Sequence, residues 1–324
     1  MPLRGWKEMT SSHFGNPLSE QRELASGNAY VTRSDQCVLT VTGEDRQSWL
    51  HSLVSQDVIN LKPGDSAEAL LLSPQGHIEH QLKLVISDEQ VLIITPRERS
   101  AALADWLGKM RFRAKVEIAE SDLGVYGHFG KGDWQDPFSL QSENSVSYNP
   151  QRAVFGYAET LGTPPATREV GLLAYQALRI AAGRPELSDI DEKSLPHEFD
   201  WLSSAVHLSK GCYRGQESVA KVHNLGHPPR RLTLLHLESG DSLPEAGTVV
   251  YYLDKLAGKI VASALHYEMG GIALALLSRA TPYLDLAIAE PGGSPASQQV
   301  LVPADAGKAA NLPRPSAFKL SSKR

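Results

Sequence analysis

The stretch Lys210-Gly211-Cys212-Tyr213-Arg214-Gly215-Gln216-Glu217 decides how the rest of this chain is read. Two glycines close to a cysteine mark a tight loop, because glycine is used where the backbone takes a positive φ or approaches another group closely. Gln216 to Val222 has the pattern of a short helix, with Gly215 as an acceptable cap and Glu217 in the first turn, where negative charge is favoured. Cys212 therefore precedes a helix N-terminus and has Lys210 and Arg214 two positions away on either side. Each feature favours thiolate over thiol and predicts a reactive or metal-touching cysteine. Local chemistry leaves a second reading open, a small buried apolar residue, since free cysteine is among the most buried residue types.

Outward from that loop, a strong helical pattern starts at Thr167, with Val170, Leu173, Ala174, Ala177, Leu178 and Ala181 on one face, and stops at Gly183. Cys37 to Val41 reads as a short strand, and Thr42-Gly43-Glu44-Asp45 has the spacing of a capping box for a helix burying Trp49, Leu50, Leu53 and Val54. Strands are expected at Ala67 to Leu72, Ile78 to Ile86, Val91 to Thr95 and Phe112 to Ile118. A helix capped by Thr95-Pro96-Arg97-Glu98 lies between the last two. Strands and helices mix without regular alternation, which gives an α+β class with a split βαβ element. Residues 130–165 are rich in turn formers. After Pro228-Pro229 the pattern is strands only, at Arg231 to Leu237, Thr248 to Leu253, Lys259 to Leu265 and Ile272 to Leu277. With turns at Ser239-Gly240-Asp241 and Gly270-Gly271, these predict a small barrel.

The expected organisation is a loose extension over 1–21, an α+β region over 22–230, a barrel over 231–302 and a basic flexible tail over 303–324, where five cations meet one acid. The 324 residues, 41% hydrophobic and 21% charged with net charge −5, fit a globular protein with more than one core. That charge gives no general attraction for phosphate backbones, and Arg230-Arg231 reads as surface charge, so no direct nucleic-acid partner is expected. Two cysteines, Cys37 and Cys212, cannot supply the roughly four ligands of a structural zinc or iron-sulfur site. No apolar run approaches the ~20 residues of a membrane span, and residues 1–25 lack a signal-peptide core. The expectation is a reduced, soluble, cytoplasmic protein without a membrane partner, plausibly monomeric.

The motif resembles the Lys-Gly-Cys-Tyr-x-Gly-Gln-Glu signature of YgfZ/IBA57-type proteins, a branch of the folate-binding, glycine-cleavage T-protein-like family. Thr42-Gly43-Glu44-Asp45-Arg46, Leu53-Val54-Ser55-Gln56-Asp57-Val58, Pro63-Gly64, Leu71-Leu72-Ser73-Pro74-Gln75-Gly76 and Leu178-Arg179-Ile180-Ala181-Ala182-Gly183 are similar to successive family blocks, so the resemblance covers about residues 35 to 280. It implies two interlocked α+β lobes and a C-terminal β-barrel around a folate-sized cavity. It also implies a role for the cysteine in maturing or maintaining iron-sulfur enzymes, including a tRNA-methylthiolating one. Tetrahydrofolate is the implied cofactor, and iron-sulfur enzymes or cluster carriers are the implied partners.

Candidate residues follow from both lines of reading. Cys212 and Lys210 carry the chemistry, with Tyr213, Gly215, Gln216 and Glu217 completing the motif. Tyr213 and Trp201, which follows Asp200, offer aromatic planes for a pterin; Arg179, His80 and Gln81 complete the candidate cofactor contacts. Two departures weigh against one-carbon transfer. T-proteins carry an aspartate pair where this chain reads His80-Gln81, and Ala181 stands where they have a pterin-binding glutamate. Neither His80 nor Gln81 supplies a fixed negative charge beside a cationic amine, and Glu79, the nearest carboxylate, is expected on the opposite strand face, in solvent. His197, His207, His223 and His227 crowd the motif; the one i, i+4 pair, His223 and His227, is interrupted by Gly226 and followed by Pro228, so the expectation is no protein-only metal site, with a labile site completed by a second protein or a small thiol left open. The expected function is a folate-dependent accessory protein in iron-sulfur cluster assembly or repair, more accessory factor than catalyst; the alternative is a tetrahydrofolate-dependent aminomethyl- or methyltransferase.

Overall fold

A computed structural model describes residues 11–140, 145–150, 152, 154–238 and 242–309. In chain order the elements are α1 (Pro17–Ala25), β1 (Ala29–Thr32), β2 (Gln36–Thr42), α2 (Arg46–Leu53), β3 (Ser66–Leu72), β4 (Ile78–Ile86), β5 (Gln90–Pro96), α3 (Arg97–Lys109), β6 (Glu117–Ser121) and β7 (Val125–Phe129). There follow β8 (Trp134–Gln135), β9 (Tyr157–Leu161), β10 (Arg168–Val170), α4 (Leu172–Ala181) and α5 (Gln216–Leu225). The last six strands are β11 (Arg230–Leu237), β12 (Val249–Tyr252), β13 (Lys255–His266), β14 (Gly270–Ser278), β15 (Leu286–Ile288) and β16 (Pro295–Val300).

They form two five-stranded sheets, ordered β10-β1-β7-β9-β8 and β3-β4-β5-β2-β6, and a closed barrel ordered β11-β14-β13-β12-β15-β16. The class is α+β, as the sequence predicts. The chain leaves the first sheet after β1, builds the whole second sheet with β2 to β6, and returns with β7, so the lobes are interlocked. Both β5 and β6 run antiparallel to β2 between them, and α3 joins them, which is the expected split βαβ element.

The apolar strands lack a clean alternation because both faces of the second sheet are covered. Leu39, Val41, Leu82, Leu84 and Ile93 pack under α2 and α3 with Trp49, Leu50, Leu103 and Leu107. Val38, Val85, Leu92 and Ile94 pack from the same strands into the other lobe, against Leu24, Val31, Tyr157 and Tyr175. A third core joins both lobes to the outer face of the barrel, bringing Leu70 and Ile78, Phe199 and Trp201, Tyr213 and Val219 against Leu232, Leu234 and Ile272.

Several local expectations are corrected. Residues 11–21 are not a loose extension. Asn16 caps α1 by accepting from the Leu18 and Ser19 amides. The buried Glu20 accepts from the Gly171 amide, and Gln21 donates to the Leu265 carbonyl and accepts from the Tyr267 amide. These polar partners lie far away in sequence, so no local periodicity announces them. The segment proposed as a strand from Phe112 has Phe112 at φ 44° and 83% exposed, and the strand begins only at Glu117. Neither capping box forms: α2 and α3 start after Asp45 and Pro96 without a side-chain cap. The helix expected from Thr167 begins at Leu172, because Arg168–Val170 is taken as a strand beside β1. At the other end, residues 303–309 are not all free tail: Ala306 is buried and the Ala309 amide donates to the His223 carbonyl. Residues 1–10, the turn at 239–241 and the rest of the proposed tail lie outside the described residues.

Candidate functional site

The motif loop is held at both ends and presents its cysteine outward. Lys210 is buried, and its ammonium donates to the carbonyls of His51, Val54 (2.6 Å) and Gln56 (3.0 Å). Burial lowers its pKa to about 8. The segment that supplies this socket is itself fixed, since Ser55 Oγ donates to the Ala205 carbonyl, accepts from the Leu70 amide, and the Ser55 carbonyl accepts from the His207 amide. Gln216 Nε2 returns to the Lys210 carbonyl at 3.2 Å, closing the loop. Tyr213 is buried in the core that joins the three parts, and burial pushes its phenol up to about 12. Cys212 is exposed and Cys37 is buried, and both are free thiols.

Gly215 needs to be glycine twice over. It takes φ 84°, and a Cβ there would sit 2.5 Å from the Ser73 carbonyl oxygen. Opposite it, Gly76 at φ 81° brings the 73–77 turn against α5, where a Cβ would meet that of Ser218 at 2.9 Å. Arg214 spans the same junction, pairing with Glu79 at 2.7 Å. The proposed flanking cations are therefore committed elsewhere: Lys210 to main-chain carbonyls, Arg214 to a carboxylate. Glu79, expected merely in solvent, is the anchor for Arg214.

Two cavities lie along β4. The first, about 540 Å³, is lined by Gln81, Lys83, Gln176 and Glu186 together with Ser34 and Asp35. The second, about 590 Å³, is lined by His77, Glu79, His80, Arg99, Asp191 and Glu192. The same three segments wall both, passing from Lys83 and Gln81 to His80, from Glu98 to Arg99, and from Ser188 to Ile190, although the two cavities share no lining residue.

The candidate cofactor contacts are split by this arrangement. Gln81 reaches the first cavity and His80 the second. Trp201 is fully buried, tilted against Phe199, and its indole N–H donates to Glu68, so it presents no open face to a ring. Arg179 is likewise buried and spends its guanidinium on Asp189, Gln176 and the Arg184 carbonyl. Tyr213 packs in the core beneath the Lys210 ammonium rather than along either cavity. Asp200, which precedes Trp201, is taken up by Arg152, Ser147 and the Tyr148 amide. Of the histidines, His197 is buried with no hydrogen-bond partner on either ring nitrogen among the described residues, and burial with nearby His223 lowers it to about 3. His227 meets the Ala306 carbonyl. Among the described residues no three His, Cys, Asp or Glu side chains gather in a group able to hold a metal ion.

Sequence reasoning missed the charged groups that organise this region. Glu68 is fully buried and accepts from Gln81 (2.6 Å), Arg184 (2.8 Å), Trp201 and Ser204 (2.6 Å). Arg184 also donates to Asp136. Lys83 pairs with Glu159 at 2.5 Å, and Glu186 joins Arg33, Tyr175 and Arg179. Burial opposes ionisation of Glu186, yet Arg33 and Arg179 hold its carboxyl well below the usual range. The available signal was a charge inside an apolar strand, Glu68 in Ala67–Leu72 and Lys83 in Gln81–Ile86. A charge at such a position is paired or functional.

The chain superposes on the glycine cleavage system aminomethyltransferase T of Bartonella henselae with TM-score 0.70 at 17% identity, covering 88% of each chain. That likeness gives the fold. In sequence it is 25% identical over 273 residues to the mitochondrial iron-sulfur cluster assembly factor IBA57 homolog of Aspergillus oryzae, covering 68% of this chain. It is 22% identical over 254 residues to the tRNA-modifying protein YgfZ of Vibrio atlanticus, covering 72% of this chain and 77% of that one. The IBA57 and YgfZ homologues together with the aminomethyltransferase fold support a place among YgfZ/IBA57-type, glycine-cleavage T-protein-like proteins. The match spans 60% of the length of the Aspergillus IBA57 homolog. No protein-family model matches the chain. Among the described residues no helix is long and apolar enough to cross a membrane.

Proposed function

We propose that this protein is a folate-assisted accessory factor in iron-sulfur cluster assembly or repair, acting through Cys212. The observation that carries the reading is an exposed thiol on a loop pinned at both ends, by the Lys210 socket and by Arg214 on Glu79. One cysteine supplies one of the roughly four ligands of a cluster, so the remaining ligands come from a client protein or carrier. The names borne by the Aspergillus and Vibrio relatives support that class of partner. Tetrahydrofolate belongs to this reading as the occupant of the first cavity, whose volume lies in the range of small-molecule sites. Its lining is polar, with Gln81, Gln176 and the ionised Glu186, each of which also holds a partner within the protein: Gln81 bonds Glu68 and the Leu187 amide, Gln176 accepts from Arg179, and Glu186 pairs with Arg33. When bound, the folate would supply a one-carbon carrier and a reducing ring.

Replacing Cys212 with alanine in cells is expected to abolish support for an iron-sulfur enzyme while circular dichroism and the melting temperature stay unchanged; normal client activity in that strain would sink the proposal. Calorimetry with tetrahydrofolate tests the cofactor half separately, with one-to-one binding expected, and absence of heat would remove folate from the reading.

The transferase alternative draws on the aminomethyltransferase fold. The buried His80 and Gln81, in place of a carboxylate pair, argue against it, and burial with Arg99 holds His80 uncharged down to about 4. One-carbon turnover that survives Cys212→Ala would favour the transferase.

A further inference from the structure

The second cavity has a composition that neither the thiol chemistry nor a pterin uses. Two of its carboxylates are already neutralised, Glu79 by Arg214 and Asp191 by Arg230 at 2.6 Å. Two charges among its lining are left without an ion pair among the described residues: the guanidinium of Arg99, on α3, and the carboxylate of Glu192, on the segment after α4. The same wall carries His80 of β4, 8% exposed, whose buried Nδ1 has no hydrogen-bond partner among the described residues. A buried polar ring without a partner costs free energy unless something satisfies it. The cavity therefore offers one positive group, one negative group from a different element, and a neutral donor-acceptor from a third.

We propose that this cavity binds the zwitterion of a free α-amino acid, its carboxylate on Arg99, its ammonium on Glu192 and its side chain over His80. A simple anion meets the Glu192 carboxylate and a simple amine meets the Arg99 guanidinium, so each single charge is opposed by one wall, whereas the zwitterion complements both. The space of about 590 Å³ admits side chains larger than that of serine. The 73–77 turn, which carries His77 in the cavity wall, is also the seat of Gly215, and Glu79 in the same wall holds Arg214. An occupant thus lies against the base of the Cys212 loop. The inference stands on the cavity alone and does not depend on the iron-sulfur reading.

The test is calorimetric titration of the full chain with L-serine and L-methionine, using propionate and L-methionine methyl ester as single-charge controls. The amino acids are expected to bind one to one, each control at least about tenfold more weakly, and Arg99→Ala and Glu192→Ala each to weaken binding by about tenfold, the worth of one charge-assisted contact. Both substituted side chains are exposed, and circular dichroism verifies the fold of each variant. No binding at millimolar amino acid, equal binding of propionate, or unchanged affinity in both variants would overturn the assignment.

Discussion

Lys210 Nζ lies 2.6 Å from the carbonyl oxygen of Val54, a residue 156 positions earlier, and that contact ties the motif loop to the end of α2. The lysine of the motif is thus a main-chain clamp. Lys210→Met leaves three carbonyls, that of Val54 buried and those of His51 and Gln56 part-buried, without this donor and is expected to cost about 2–4 kcal/mol in urea unfolding. Arginine at this position is not expected to rescue, because a planar fork does not fit a socket built for a compact ammonium. Alkylation of Cys212 by iodoacetamide should also quicken in Lys210→Met as the loop loosens. Unchanged stability would remove the clamp.

Gly215→Ala sets a Cβ against the Ser73 carbonyl at a φ that alanine disfavours. A loss of about 1–3 kcal/mol is expected in the same assay. The Gly76 turn should shift with it, which crystallography or amide exchange at residues 73–77 reads out.

Glu68 is the hub of a buried network, and removing a buried charge strands its partners. Glu68→Ala is expected to cost about 3–5 kcal/mol, by leaving Arg184 with a single carboxylate in an apolar surrounding. Glu68→Gln should cost less, since it keeps the shape and an acceptor. Thermal unfolding of the two variants separates these outcomes.

His197 governs part of the response to acid. Its folded pKa of about 3 lies below the ordinary 6.5, so both states are neutral above pH 7 and the residue contributes no pH dependence there. As pH falls below 6.5 the unfolded chain takes up a proton that the folded chain refuses, so stability falls progressively until about pH 3. At pH 4.5 this amounts to about 2–3 kcal/mol. His197→Phe should flatten the decline between pH 7 and 4.5 in urea titrations; an equally steep decline would contradict the burial argument.

The fold was legible where one face of an element repeats. The β2, β3, β4 and β5 strands, the split βαβ and four of the six barrel strands follow from apolar runs broken by Pro63-Gly64 and Gly270-Gly271, whereas the short β15 and the polar β16 carry no such run. The interlocking of the two lobes does not follow from periodicity and is what the motif resemblance implies, while the strand order of the sheets is seen only in the structure. At the site, Cys212 ahead of α5 and Gly215 at its start were readable from spacing. The destination of Lys210 was not, because its partners are carbonyl groups, which every residue has. For the same reason Trp201 and Arg179 were taken for ligand contacts: an aromatic or a guanidinium looks alike in sequence whether it faces a cavity or a buried carboxylate such as Glu68 or Asp189.

The nesting of one sheet inside the other also sets a schedule for synthesis. β1 emerges from the ribosome early, yet Ala29 pairs with Arg168, and its other neighbour, β7, is made only after the whole inner sheet. Until then β1 is an unpaired strand on a growing chain, with both edges open to wrong partners. The inner sheet suffers no such delay, since β2 to β6 pair among themselves. The nascent protein therefore completes its inner lobe first and closes the outer one around it, leaving Tyr213 and the loop that bears Cys212 among the last parts to find their seat.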